Sequence, residues 1–266
     1  MLAPMTGDAP APGYRVRNST ADRALTVLEM FDEERLTVSA VEVASTLGVA
    51  RSTAYRYLES LVSRGFLEES SGGGFRLGLR ILELSRLARH GFGLSEIALP
   101  RMKALSRLVE QTVVLTRRVG TTVICLEREA DLGRLVRISY ERGSQLPLTA
   151  GASALVLLAW LPDDEARELL RAADRPQLTD RTLRDVDALV ERLHQIRADG
   201  HSVSVGELDV NAVGIAAPVF GPDGDVVAGL SIVAVAPVDA AARAAMVDAV
   251  RAAAAEISSV LAVAAG

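Results

Sequence analysis

The sequence predicts an α+β protein in two parts: a small winged helix-turn-helix near the N-terminus and a larger part built on a mostly antiparallel sheet. Three observations predict it. Residues 36–58 carry two helical periods broken at Gly48, and a Gly-rich hairpin pattern follows over 65–77. Residues 94–266 mix strand-like runs with amphipathic helices. Two of those runs, 214–220 and 225–235, flank the turn Gly221-Pro-Asp-Gly224, and strands joined by so short a turn run antiparallel.

At about 150 residues per domain, 266 residues suggest two domains. Aromatic residues make up only 4%, so the core is built from Ala, Val, Leu and Ile. The formal charge of −5 excludes a general nucleic-acid coat but leaves room for one basic face. One cysteine, Cys125, excludes an internal disulfide and a Cys-rich zinc site. Three histidines (His90, His194, His201) leave little material for a metal, and no cofactor is expected. The first 18 residues lack the apolar core of a secretory signal, and the longest apolar runs, 154–161 and 226–236, are too short to span a bilayer. The expected address is the cytoplasm.

Residues 1–18, with Pro4, Pro10, Pro12, Gly7 and Gly13, read as a flexible tail. A helix starts at Ser19 or Thr20, with Ala24, Leu25, Leu28 and Phe31 as its apolar face. Three further short helices and two strands are expected before about residue 78. The DNA-binding unit thus covers 19–78. A linker helix over Gly78–His90 holds Leu79, Leu82, Leu84 and Leu87, and Gly91-Phe-Gly93 reads as its hinge, so linker and hinge take 79–93. In 94–266, helices are expected at 94–111, about 150–160, 163–172, 183–199 and 238–263. Strands are expected at 112–119, 121–128, 134–140, 214–220 and 225–235.

The most informative stretch is 36–58. Ser39 can cap a helix whose inward face is Val43, Ala44 and Leu47, and Gly48 can supply a left-handed turn. Ala44 is small where two helices cross closely. Val49, Ala54 and Leu58 face inward on the second helix, which leaves Arg51, Ser52, Thr53, Tyr55 and Arg56 outward at its N-terminal half. A helix-turn-helix reads duplex DNA from that end, with arginines and hydroxyls reaching phosphates and base edges. Residues 51–64 carry three arginines against one glutamate. The following hairpin is a wing, with Arg76 placed to reach the backbone.

These segments, Ala24-Leu-Thr-Val-Leu, Arg51-Ser-Thr-Ala-Tyr-Arg-Tyr-Leu, Gly65-Phe-Leu and Phe75-Arg-Leu-Gly78, resemble the IclR family of bacterial transcription regulators. The resemblance continues in the family's order through Leu146-Pro-Leu, Leu161-Pro-Asp-Asp-Glu165, Ile196-Arg-Ala-Asp-Gly200 and Gly214-Ile-Ala-Ala-Pro-Val219. It implies a C-terminal effector-binding domain distantly like GAF and PAS sensors. It also implies homodimers on a palindromic or near-palindromic operator, often paired into dimers of dimers. The protein would be a ligand-responsive regulator of a metabolic or catabolic operon, with repression preferred.

The resemblance also implies an effector pocket on the sheet. Carried onto this sequence, one wall is Thr149, Ala150, Gly151, Ala152 and Ser153. A second is Val213, Gly214 and Ile215, and a third Leu230, Ser231 and Ile232, with Glu207 and Asp209 at the mouth. Three departures bear on the ligand: Thr149-Ala-Gly-Ala-Ser153 replaces a His-Ala-Thr-like stretch, Val203-Ser-Val-Gly206 an acidic run, and Gly214 a cysteine. Each trades polarity for small or apolar groups, which suits a small organic metabolite such as an aromatic acid over a tiny, highly charged acid.

Rival readings are an enzyme domain joined to a DNA reader, and a protein-interaction module on a winged-helix scaffold. Ser153 lacks the Gly-x-Ser-x-Gly elbow, and neither His194 nor His201 has a recognisable nucleophile partner, so no enzyme is expected. Cys125 reads as a buried small hydrophobe and Gly72-Gly-Gly74 as the wing tip, since no phosphate-loop lysine follows. Arg117 and Arg118 read as solvated strand-edge residues.

Overall fold

The computed structural model describes residues 19–32, 34–130 and 141–264, and the expected tail at 1–18 and strand at 134–140 lie outside them. The chain divides into two compact units, residues 1–91 and 92–266.

The first unit contains α1 (Ser19–Glu29), α2 (Ala40–Leu47), α3 (Arg51–Ser63), β1 (Leu67–Glu69), β2 (Phe75–Leu77) and α4 (Leu79–Phe92). Among the described residues two helices, not three, lie between α1 and the wing, because residues 30–32 and 34–39 form turns and one bridge, Val38 to Phe75. Ser19 is the first helical residue of α1 and not a residue before it. Of the face expected of α1, Leu25 turns out and is 57% exposed, whereas Leu28 and Phe31 pack beside the inward Val27 and Met30. Val27 and Met30, with Val38, Val43, Ala54, Leu58, Leu61, Leu67 and Phe75, make one core. Gly91 lies inside α4, so the expected hinge reduces to Gly93, whose φ of 59° turns the chain before the next helix.

The second unit contains α5 (Leu94–Val109), β3 (Thr112–Val119), β4 (Thr122–Glu129), β5 (Gln145–Pro147), α6 (Ala152–Leu158), α7 (Asp163–Ala172), α8 (Val186–Asp199), β6 (Ser202–Val205), β7 (Ala212–Phe220), β8 (Val226–Val235) and α9 (Ala240–Ala264). The sheet order is β5-β4-β3-β8-β7-β6, and every pairing among the described residues is antiparallel. Successive strand residues point to opposite faces, and both faces are covered. Against α5 and α9 lie Val113, Leu115, Val213, Ile215, Leu230 and Ile232. Against α6, α7 and α8 lie Val114, Val123, Cys125, Ala216 and Val233. With both faces buried, β7 and β8 read as nearly continuous apolar runs. The short strand β5 escaped the sequence because three residues give no measurable period.

Candidate functional site

On the first unit the candidate face is built by α2, α3 and the wing. Ser39 starts α2 with a reciprocal box: its Oγ accepts from Glu42 N at 3.2 Å, and its own N–H donates to Glu42 Oε2 at 2.7 Å. Hydrogen bonding from the Ser39 side chain, and then from its backbone N–H, holds the Glu42 carboxyl below its ordinary pKa. Gly48 ends α2 at φ 61°, ψ 39°, a left-handed turn that leads into α3 within two residues. Ala54, Leu58 and Leu61 bury one side of α3, and Arg51, Ser52, Tyr55 and Arg56 stand exposed on the other. Thr53 is half-buried, because it borders the face that Ala54 turns inward.

Ala50 precedes α3 and has no side chain to cap it. The Ala50 carbonyl takes the Thr53 and Ala54 amides at 2.9 and 3.1 Å, and the two amides before them have no acceptor within the helix. The Arg51 guanidinium lies 5.6 Å from the centre of the Tyr55 ring, with Nη2 3.5 Å from the Tyr55 hydroxyl. Tyr55 in turn stands edge-on to Phe75 of the wing at 6.4 Å. The aromatic ring thus props Arg51 against the helix end. Across the wing, Arg76 pairs with Glu68 at 3.0 Å, as their direct register in β1 and β2 requires. Gly74 reverses the wing tip at φ 82°, and a Cβ there would come within 2.8 Å of the Val38 carbonyl.

On the second unit the pocket residues expected to act together fall on two faces of the sheet. Val213, Ile215, Leu230 and Ile232 point to α5 and α9 and are core. This corrects their assignment as pocket wall: the two-residue period of a strand sends each residue's neighbours the other way. Gly214 and Ser231 do face α6. Ser231 Oγ lies 2.8 Å from Ser153 Oγ, and a Cβ on Gly214 would meet Ser204 Oγ at 3.0 Å and Ala152 Cβ at 3.3 Å. Thr116 donates to the Gly229 carbonyl at 3.3 Å on the same face. Ser202, fully buried and paired in register with Ala216, keeps an Oγ without a hydrogen-bond partner among the described residues.

Thr149 and Ala150 are buried, and Thr149 donates to the Asp174 carbonyl at 3.2 Å. Gly151 takes φ 84°, and its amide donates to Glu207 Oε2 at 3.2 Å. Glu207 is buried and not at an open mouth: Thr179 and Thr182 hold the carbonyls of Gly206 and Glu207 at 2.6 and 2.7 Å. Burial raises its pKa, against the Gly151 amide and Arg192, which lower it. Asp209 is exposed and closes a turn onto Asn211 N. Thr116, Ser202 and Ser204 were missed from the sequence. The signal was the alternation Ser202-Val-Ser204-Val, which puts both hydroxyls on one face.

Other candidates go elsewhere. Cys125 is buried, and burial followed by the nearby Glu127 pushes its thiol up to about 11, so it stays protonated. His194 pairs with Asp163 at 2.7 Å between α8 and α7, and His201 sets its ring against the Asp199 carbonyl. Arg118 is not simply solvated: it reaches Glu165 at 3.7 Å. No helix of the described residues is long and apolar enough to cross a membrane.

A helix-turn-helix with a wing, joined to an α+β unit with its own helix-covered sheet, defines a DNA-binding transcription regulator with a separate regulatory domain. Known proteins agree. Residues 20–71 match the IclR helix-turn-helix domain and residues 87–259 the C-terminal domain of bacterial IclR regulators. The chain belongs to the IclR family of transcriptional regulators.

It is 30% identical over 217 residues to the HTH-type transcriptional regulator KipR of Bacillus subtilis, covering 81% of this chain and 86% of that one. It is 32% identical over 213 residues to the regulator BhcR of Paracoccus denitrificans, covering 79% and 75%. Among solved structures, an IclR homologue from Microbacterium hydrocarbonoxydans complexed with 4-hydroxybenzoate superposes with a TM-score of 0.77 at 29% identity, over 91% and 98% of the chains. These relatives are regulators, and no catalytic family is among the matches described.

Proposed function

We propose that this chain is a cytoplasmic homodimeric repressor that lays α3 in the major groove of each half of a palindromic or near-palindromic operator. The observation that carries the reading is the exposed set Arg51, Ser52, Tyr55 and Arg56 at an uncapped helix end, with Thr53 on its border. The α3 terminus and Arg76 take phosphates, and Arg56 reads base edges. The leucines of α4 support the dimer: Leu79, Leu82 and Leu87 are 68%, 67% and 50% exposed, an apolar stripe that a second copy would cover. The same protein would pair into dimers of dimers.

The effector is a small organic metabolite, and an aromatic acid fits best. It would enter between α6 and β7–β8, where Ser153, Ser231, Ser204 and the unpartnered Ser202 supply hydroxyls to a carboxylate and apolar neighbours receive a ring. The relative with 4-hydroxybenzoate supports that class. A gel-shift titration at two salt concentrations tests the DNA half. Arg56→Ala is expected to cost about 1–3 kcal/mol and relax sequence preference, whereas Arg76→Ala weakens all duplexes alike and flattens the salt dependence. Unchanged binding in both variants sinks the placement.

A further inference from the structure

The second unit carries an open cleft of about 610 Å³ whose lining leaves out the hydroxyl cluster of Ser153, Ser204 and Ser231. It lies where β6 stops: β6 pairs with β7 only as far as Ala216, and β7 continues to Phe220. Trp160, Pro218 and Phe220 supply apolar walls, and α9 supplies Asp248, Arg251, Ala255 and Ser258. The Trp160 and Phe220 rings meet edge-on at 5.6 Å.

Ser258 is already engaged, since its hydroxyl accepts from the Phe220 amide and donates to the Ala254 carbonyl. Asp248 and Arg251 are not. Both are exposed, and neither has an ion pair or side-chain hydrogen bond among the described residues. Arg251 lies over Gly200 at the opposite lip, where a Cβ would come 3.5 Å from its Nη2.

Two opposite charges one helical turn apart, with Cβ atoms about 5–6 Å from each other, stand beside an aromatic wall. A simple anion placed on Arg251 would face the Asp248 carboxylate, and a simple cation placed on Asp248 would face the guanidinium. A ligand carrying a carboxylate and an ammonium on one carbon satisfies both. The volume falls within the range of small-molecule sites. We propose that this cleft binds a free α-amino acid with a large apolar or aromatic side chain. Arg251 forks the carboxylate, Asp248 accepts from the ammonium, and the side chain packs against Trp160 and Phe220. The site is distinct from the effector reading given above, because its lining includes none of Ser153, Ser202, Ser204 and Ser231.

Trp160 is the chain's only tryptophan, so its fluorescence reports directly on the cleft. Titrating the full-length protein with L-phenylalanine to about 10 mM is expected to give a saturable change, at least about tenfold weaker for 3-phenylpropanoate and for 2-phenylethylamine. Arg251→Ala and Asp248→Ala should abolish it without moving the circular dichroism or the melting temperature, both side chains being exposed. Ser231→Val, which alters the α6 face, should leave it intact. The proposal is overturned by any of four results: no saturable change, an equal response to 3-phenylpropanoate, persistence in Arg251→Ala, or loss in Ser231→Val. It is also overturned if light scattering shows self-association that Arg251→Ala abolishes and L-phenylalanine leaves untouched, because the cleft then belongs to a second copy of the chain.

Discussion

The two units place their candidate chemistry in opposite ways. On α3 it is exposed and nearly contiguous: Arg51 to Arg56 spans less than two helical turns, and the core below needs only Ala54, Leu58 and Leu61. On the α6 face it is buried and assembled from distant pieces, with Ser153, Ser204, Gly214 and Ser231 drawn from α6, β6, β7 and β8. An exposed reading face tolerates substitution and loses only binding. If the buried hydroxyl cluster receives the effector as proposed, it ties ligand recognition to the packing of the domain, and its residues would carry both. The difference teaches where mutational effects should separate and where they should not.

The largest expected effect tests whether the units stand independently. Leu58 is fully buried in the first core, and Leu58→Ala is expected to cost that unit about 2–5 kcal/mol. Hydrogen exchange should then show faster amides in α1–α3 and unchanged protection in β7 and β8. Equal loss in both units would break the separation.

Adjacent residues of β8 give the next test. Ser231→Val removes the partner of Ser153 and leaves a buried hydroxyl to find another, at about 1–3 kcal/mol. It should also erase the thermal shift given by whichever aromatic acid stabilises the native protein in a screen. Ile232→Val faces α5 and α9 and should cost only about 0.5–1.5 kcal/mol while that shift survives. Reversed outcomes would put the ligand on the other face. Gly151→Leu is a poorer probe, because its Cβ would strain a φ of 84° and meet Leu208 Cδ1 at 2.6 Å.

Glu207 predicts a smaller, pH-dependent effect. Its folded pKa lies above the ordinary value of 4.5, so the fold binds the proton more tightly than the unfolded chain does. Its contribution is fully present below the unfolded value and declines as pH rises through the folded one. Urea midpoints of the second unit should therefore fall over that window in the native protein and fall less in Glu207→Gln. Equal slopes would show that the Gly151 amide and Arg192 offset its burial.

The smallest effect belongs to the wing. If Arg76 takes a phosphate as proposed, Glu68 would compete for it, and the exposed pair is worth about 0.2–1 kcal/mol. Glu68→Gln should strengthen operator binding by at most that amount and steepen its salt dependence. A weaker complex in the gel shift would mean that Glu68 positions Arg76 for DNA instead of withholding it.

Much of this was legible in the residues because the signals are local. A capping serine, a left-handed glycine and an alternation of apolar with basic residues over one helix decide α2, the turn and the exposed face of α3 without distant partners. The hairpin at Gly221–Gly224 is local in the same sense, and β7 and β8 follow from it. What the residues by themselves did not decide is which way a doubly buried strand faces. In β7 and β8 nearly every position is apolar, so the two-residue period carries no contrast. Only the packing of α6 on one side and of α5 and α9 on the other separates Ser231 from Ile232. The same limit hid Ser202 and Ser204, whose hydroxyls matter through what lies opposite them, and the burial of Val27 and Met30 in α1, where Leu25 stays exposed. Local free energies choose the elements, and burial against elements far along the chain chooses their faces.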